Sequence, residues 1–206
     1  MSADVRKRVV ALDFDGCIAY GANVKIRFAK QTWGLELAVE QTAEDAFPLG
    51  PQSYRQMMDV VGRRTDEYEL APDCGEVCER LRENGFGLVV VTSRADYELG
   101  AAKYFIEKHR LPLTDVRNTH RQSKKAICQE LGASACLEDS LWKLVELQST
   151  GIALYFMNQQ WNVHEQHTAS QLEYVVPVKN WQHFYSHITG TDLAGTGVIK
   201  NVPPSR

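Results

Sequence analysis

Two carboxylates stand two residues apart at Asp13 and Asp15, in ALDFDGCIAY, directly after the apolar run 9–12. At the end of a buried strand such a pair can bind a cation, move protons or attack an electrophile. Taken alone, Asp15-Gly16 is equally a hairpin turn between hydrophobic stretches. Each further group has a similar double reading. Thr92-Ser93-Arg94 closes a second apolar run, 88–91, with hydroxyls and a guanidinium that can receive an anion, or with a strand-end hydroxyl and a solvated arginine. Lys125, with adjacent Lys124 as an alternative, is a cation for a site or a solvated helix start. Glu138-Asp139 closes a third run, and Asp139-Ser140 would also cap the helix that follows. A turn explains Asp15-Gly16, but not a second acidic pair and a lysine at related places.

These groups share an edge only if the apolar runs are strands of one sheet. Runs 9–12 and 88–91 have the continuous form of strands buried on both faces. The roughly seventy residues between them are too many for a simple crossover and carry helical signals. Residues 22–33 and 51–62 read as helices, the second opening at Pro51 and closing at Gly62. Val77, Cys78 and Leu81 mark another helix, stopped at Asn84-Gly85. Leu99, Ala102, Phe105 and Ile106 mark the next, which ends before Pro112. Residues 115–118 have no decisive pattern. Helices follow at 123–131, around Leu141, Leu144 and Val145, and at 181–188; strands are expected at 135–137, 152–157 and 174–176. The alternation predicts an α/β fold with a Rossmann-like, mainly parallel sheet, helices on both faces and an inserted helical cap. The core would comprise residues 1–18 and 71–188 and the cap 19–70. A flexible tail is expected over 189–206, where Gly190, Gly195 and Gly197 precede Pro203-Pro204. Ligands of open parallel sheets gather at the carboxyl ends of the strands, where Asp13, Thr92 and Glu138-Asp139 would meet.

In order and type these groups resemble the haloacid dehalogenase (HAD) superfamily over roughly residues 5–188, with the insertion where many members carry a helical cap. Asp13-Phe14-Asp15-Gly16 matches the first motif, Thr92 the second, Lys125 or Lys124 the third, and Glu138-Asp139 the fourth. The resemblance implies that Asp13 is a nucleophile that becomes an aspartyl phosphate, and that Asp15 is acid toward the leaving oxygen and then base for water. Thr92, Ser93, Arg94 and Lys125 would receive the substrate phosphate. The Asp13 carboxylate, the Asp15 carbonyl and Asp139 would hold a metal, with Glu138 close by. Dehalogenating members differ at the position of Asp15, so the second aspartate favours phosphoryl transfer. Unit charges 4 Å apart repel by ~4 kcal/mol at an effective dielectric of 20, so a phosphoryl dianion approaching these carboxylates needs a cation. Hard oxygen donors favour Mg²⁺. The implied activity is that of a magnesium-dependent phosphatase acting on a small phosphorylated metabolite.

Composition narrows the field further. With 206 residues, 44% hydrophobic, and a net charge of −3, the chain has no basic excess to bind a nucleic-acid polymer. No apolar run is long enough for a membrane span or signal peptide, and five scattered cysteines without a CxxC pair suit reduced thiols, so a cytoplasmic setting is expected. Cys74 and Cys78, four apart, read as helix residues of a core. His183 and His187 have zinc-compatible spacing but lack the HExxH glutamate, and His164 and His167 fall in a polar loop. In the cap, Lys25, Arg27, Lys30, Arg55, Arg63 and Arg64 accompany Tyr20, Phe28, Trp33, Phe47 and Tyr54. They could hold a nucleotide, or the rings could be the cap's own core. The stretch GIALYFMNQQWN and the Trp181 helix are similar to the 5'(3')-deoxyribonucleotidase branch, which implies a nucleoside monophosphate as substrate. A sugar phosphate is the alternative, and a catalytically silent binding or regulatory protein of the same fold is a third.

Overall fold

The computed structural model describes residues 8–191. From β1 (Arg8–Leu12) the chain turns at Asp15-Gly16 into β2 (Ala19–Tyr20), crosses α1 (Ala22–Trp33) and α2 (Gly50–Val61), and returns through β3 (Glu69–Leu70). β2 and β3 pair antiparallel, Ala19 opposite Leu70, which ties the entry and exit of the helical cap at its base. Beyond the cap α3 (Cys74–Glu83), β4 (Phe86–Thr92), α4 (Leu99–Lys108), β5 (Asp115–Asn118), α5 (Lys125–Glu130), β6 (Ala133–Glu138), α6 (Leu141–Val145), β7 (Ala153–Met157), α7 (Val163–Gln171), β8 (Val175–Val178) and α8 (Trp181–Thr189) alternate.

Six strands form one parallel sheet in the order β5-β4-β1-β6-β7-β8. The chain builds outward from β1 to β5, then crosses back to lay β6 on the other side of β1. Where strand order reverses, the two crossovers diverge and leave a crevice at the carboxyl ends of β4, β1 and β6. Those three ends carry Thr92, Asp13 and Glu138-Asp139. β1 is flanked by parallel partners, so Asp15-Gly16 turns toward the cap and not into a hairpin.

Side-chain alternation feeds two cores. Val10, Leu12, Leu88, Val90 and Leu137 pack with Leu81, Phe105, Trp181 and Phe184 on one face, continuous with Phe14, Met57 and Val61 beneath the cap. Ala11, Val89, Val91, Cys136, Leu154 and Phe156 pack with Cys128, Leu141, Leu144 and Ala169 on the other. Burial on both faces is why these strands lack polar alternation. Cys74 and Cys78 are core residues, and all five cysteines are buried free thiols. No described helix is long and apolar enough to cross a membrane.

Five elements depart from the sequence expectation, two of them the short strands β2 and β3 at the base of the expected helical cap. Residues 115–118 are an edge strand, half-buried and charged, which periodicity could not mark. β8 continues through Pro177, tolerated because the strand lies at the other edge. His164 and His167 lie in α7 and not in a loop; this helix buries only Ala169 and so has almost no apolar stripe. The helix expected to end at Ile188 reaches Thr189, and residues 192–206 of the expected tail lie outside the described residues.

Candidate active site

Asp13 leaves β1 with its backbone N–H bonded to the Leu137 carbonyl at 2.9 Å, and its side chain is buried. One carboxylate oxygen, Oδ1, accepts from Lys124 Nζ at 2.5 Å; the other, Oδ2, is buried and has no hydrogen-bond partner among the described residues. Burial, and then the charge of Glu138, push the Asp13 carboxyl up to about 6, although Lys124 acts in the opposite sense.

The lysine beside Asp13 is Lys124, in place of the expected Lys125. Neighbouring residues of a helix point about 100° apart, so only one of the two can face the crevice. Lys124 is buried against Asp13 and Glu138, whereas Lys125 reaches outward to Ser149 Oγ at 3.0 Å. Burial would lower the Lys124 pKa, but Asp13 and Glu138 override it and hold the ammonium charged.

Glu138, expected near the metal, is turned to another task. Its Oε2 lies 2.7 Å from Lys124 Nζ, and its Oε1 accepts from the Asp139 and Ser140 amides and from Lys143 Nζ at 3.4 Å. Burial opposes ionisation, yet Lys124 and Lys143 hold the carboxyl down at about 2. Both oxygens are therefore committed to anchoring cations. Lys143 itself, one turn into the helix after the acidic pair, had no motif to announce it; it lines the crevice beside Asp13 and Asp15.

Asp139 packs over Gly16, where the Cβ of any other residue would fall 1.8 Å from Asp139 Oδ2 and the backbone φ is +89°. Gly16 thus serves both the turn and the close approach. Trp161 Nε1 donates to Asp139 Oδ2 at 2.7 Å, and Asn162 Nδ2 donates to the Asp139 carbonyl at 2.7 Å. Asp13, Cys17 and Asp139 bring donor atoms within 4.8 Å of one another. Burial, followed by Asp139 and Asp13, pushes the Cys17 thiol well up, and a soft sulfur is a poor match for a hard cation. The Asp139 carboxyl is also raised, by burial and then by Glu138 and Asp13. Two crowded carboxylates, one with an unpartnered oxygen, fit a hard divalent cation that would relieve their repulsion.

Thr92 is buried at the end of β4, and Ser93 follows with its Oγ accepting from Thr119 Oγ1 at 3.2 Å. Arg94 was expected to receive substrate phosphate. Instead Nε and Nη2 donate to the two oxygens of Asp15 at 2.7 Å each, and Nη1 donates to Gly62 O at 2.8 Å and Thr65 Oγ1 at 2.7 Å. Burial would raise the Asp15 pKa, but Arg94 overrides it and holds the carboxyl below its usual range.

Two adjoining cavities meet at Asp15. One, of about 580 Å³, contains Asp13, Thr92, Ser93 and Lys124; the other, of about 510 Å³, runs beneath the cap past Tyr54, Phe47, Tyr68, Trp161 and Asp139. Lys25, Trp142 and Lys143 border both. The cap rings mostly form their own core: Phe28, Trp33, Phe47 and Tyr54 contact edge to face in series at 5.4 to 5.9 Å. Arg27 and Arg64 pair with Glu67, Lys30 with Glu36 and Arg55 with Glu44. His164 pairs with Asp45 of the cap at 2.6 Å, and His183 and His187 contact each other at 3.0 Å on α8, away from the crevice.

No protein-family model matches the chain, and no curated protein does so significantly. Solved structures do match. D,D-heptose 1,7-bisphosphate phosphatase from Burkholderia thailandensis is 14% identical with a TM-score of 0.58, covering 90% of this chain and 100% of that one. A HAD hydrolase of family IA, variant 3, from Entamoeba histolytica is 16% identical with a TM-score of 0.59, covering 85% and 94%. A haloacid dehalogenase-like hydrolase from Streptococcus pneumoniae is 11% identical with a TM-score of 0.62, covering 88% and 98%. At these identities the likeness is one of architecture, and the chain has the fold of the haloacid dehalogenase-like hydrolases.

Proposed function

We propose that the protein is a Mg²⁺-dependent phosphomonoester hydrolase that works through an aspartyl phosphate on Asp13, with a nucleoside monophosphate as substrate. The observation that carries this reading is the Asp13 carboxylate: buried at a strand end, held through one oxygen by Lys124 and unpartnered at the other, at the floor of a cavity. A carboxylate held in one orientation through a lysine, with its second oxygen free of hydrogen bonds among the described residues, suits the role of a preorganised nucleophile.

In the first step an Asp13 oxygen bonds to phosphorus while the ester P–O bond breaks; Asp15, ionised beside Arg94 in the free protein, takes the proton of the phosphate monoanion and passes it to the leaving oxygen. In the second, water bonds to phosphorus and its proton passes to Asp15; the Asp13–phosphorus bond breaks and inorganic phosphate leaves. Thr92, the backbone at Ser93, Lys124 and Lys143 supply donors and positive charge to the phosphoryl oxygens. Asp13, the Asp15 carbonyl and Asp139 would hold Mg²⁺, which would neutralise the carboxylates and favour approach of the phosphate. Glu138 orients Lys124 and Lys143.

The cavity under the cap supports the substrate class. It has room for a nucleoside, with Tyr54, Phe47, Trp142 and Trp161 as apolar walls for a flat base. Glu44, Asp45 and Glu165 on its wall can accept hydrogen bonds from sugar hydroxyls, while Lys25 and Lys143 supply positive charge. The test has two arms. Phosphate release from an aryl phosphate with Mg²⁺ is expected from the wild type and abolished in Asp13→Asn; equal rates would sink the nucleophile. A panel of nucleoside monophosphates and sugar phosphates, ranked by kcat/KM, is expected to favour the former. Flat selectivity counts against a nucleotidase, and absence of all turnover with metal binding intact favours a binding protein.

A further inference from the structure

Arg94 is almost wholly buried, with its side chain only 4% exposed, and four of its hydrogen bonds are spoken for within the protein. Its fork grips both oxygens of Asp15 in the planar geometry that a guanidinium matches and an ammonium does not. Its remaining nitrogen reaches away from the sheet to Gly62, at the end of α2, and to Thr65, in the turn by which the chain leaves the cap. The ring of Phe14 lies 4.7 Å beneath the guanidinium carbon and that of Tyr68 5.6 Å from it. Phe14 belongs to the loop between the two aspartates, and Tyr68 to the cap exit. Thr65 is fully buried and its hydroxyl in turn donates to Gly62 O at 2.8 Å, so the end of the cap is itself braced. The Asp15 side chain, by contrast, is 37% exposed into the cleft and has no hydrogen-bonding partner other than Arg94 among the described residues. Without the arginine, nothing in its surroundings would select one rotamer.

We infer that Arg94 is a positioning residue that transmits the placement of the cap exit to the Asp15 carboxylate, aiming it at the leaving oxygen. It does not bind the substrate's phosphate. This rests on the phosphatase reading above. The bidentate grip holds Asp15 in one orientation in the interval when it has given up its proton and awaits one from water. The Gly62–Thr65 anchor makes that orientation depend on how the cap leaves the core.

Leaving groups of different basicity provide the test, because kcat/KM reports the first chemical step and only poor leaving groups need the proton from Asp15. The wild type, Arg94→Lys and Thr65→Val are compared on 4-nitrophenyl phosphate and on an alkyl phosphate. Arg94→Lys is expected to lose about 100-fold on the alkyl ester and under about 10-fold on the aryl ester. Thr65→Val removes only a hydroxyl from the cap side and should shift the same ratio in the same direction by a smaller factor. It carries the test if Arg94→Lys does not fold, as judged by circular dichroism and thermal melting. Equal losses on both esters would make Arg94 merely structural and overturn the inference. So would a rise in KM and in the inhibition constant of inorganic phosphate with the leaving-group ratio unchanged, since that pattern belongs to a phosphate ligand. An active wild type with a silent Asp13→Asn leaves the phosphatase reading standing in either case; a wild type inactive on both esters removes that reading and the inference with it.

Discussion

Lys124 and Lys125 are chemically identical and adjacent, yet only one lies against Asp13, because a helix start offers the crevice a single direction. Lys124→Ala should cost at least about 100-fold in kcat, by loss of a fixed positive charge at the phosphoryl group. Lys125→Ala should stay near wild type, as expected of a half-buried side chain bonded to Ser149 outside the crevice. Steady-state kinetics on the pair separates them, and the reverse ranking would contradict the geometry. Gly16 allows a sharper structural prediction. A methyl there meets Asp139 Oδ2 and sits on a backbone of positive φ, so Gly16→Ala should weaken Mg²⁺ binding, read by calorimetry. It should also cost ~1 kcal/mol or more in a urea melt. Asp13, Asp15, Thr92 and Asp139 could be found in the sequence because each ends or follows a strand. Lys143 and Trp161 could not, since each reaches the site from a different turn of the chain and matches no local pattern.

At the level of elements, the apolar runs identified the buried strands and most helices, since burial on both faces leaves a continuous hydrophobic signature. β5 and α7 escaped because neither buries a full face, and β2 and β3 because two residues are too few to show a period. The helix α8 was recognisable from its apolar residues, but its hold on the loop after Asp15 was not. Trp181 Nε1 donates to the Cys17 carbonyl at 2.9 Å, across 164 residues of sequence. Trp181→Phe keeps most of the packing and leaves a buried carbonyl without its donor, so the folded state should lose about 1–3 kcal/mol. Equilibrium denaturation measures this, and an unchanged midpoint would mean that water replaces the indole. A loosened loop should also lower kcat with the aryl phosphate, since Cys17 follows Asp15 by two residues.

For the whole molecule, Asp13 and Asp139 are crowded in one crevice, and Lys124 and Lys143 offset their repulsion only in part. Mg²⁺ should therefore stabilise the folded chain, by about 2.7 kcal/mol at a concentration one hundred times its dissociation constant. A thermal shift that rises with Mg²⁺, reverses with a chelator and disappears in Asp139→Asn is the expected result; a shift unaffected by that substitution would move the ion elsewhere. The sequence by itself determined an α/β alternation, the insertion after the first strand and the ordered carboxylates, hydroxyl and lysine, because strand burial and turn chemistry are written in neighbouring residues. Only the tertiary structure decided which lysine faces Asp13, that Glu138 anchors two lysines, and that Arg94 grips Asp15. Each of these depends on helix rotation or on the packing of segments distant in the chain, where the direction of a side chain follows from what it meets.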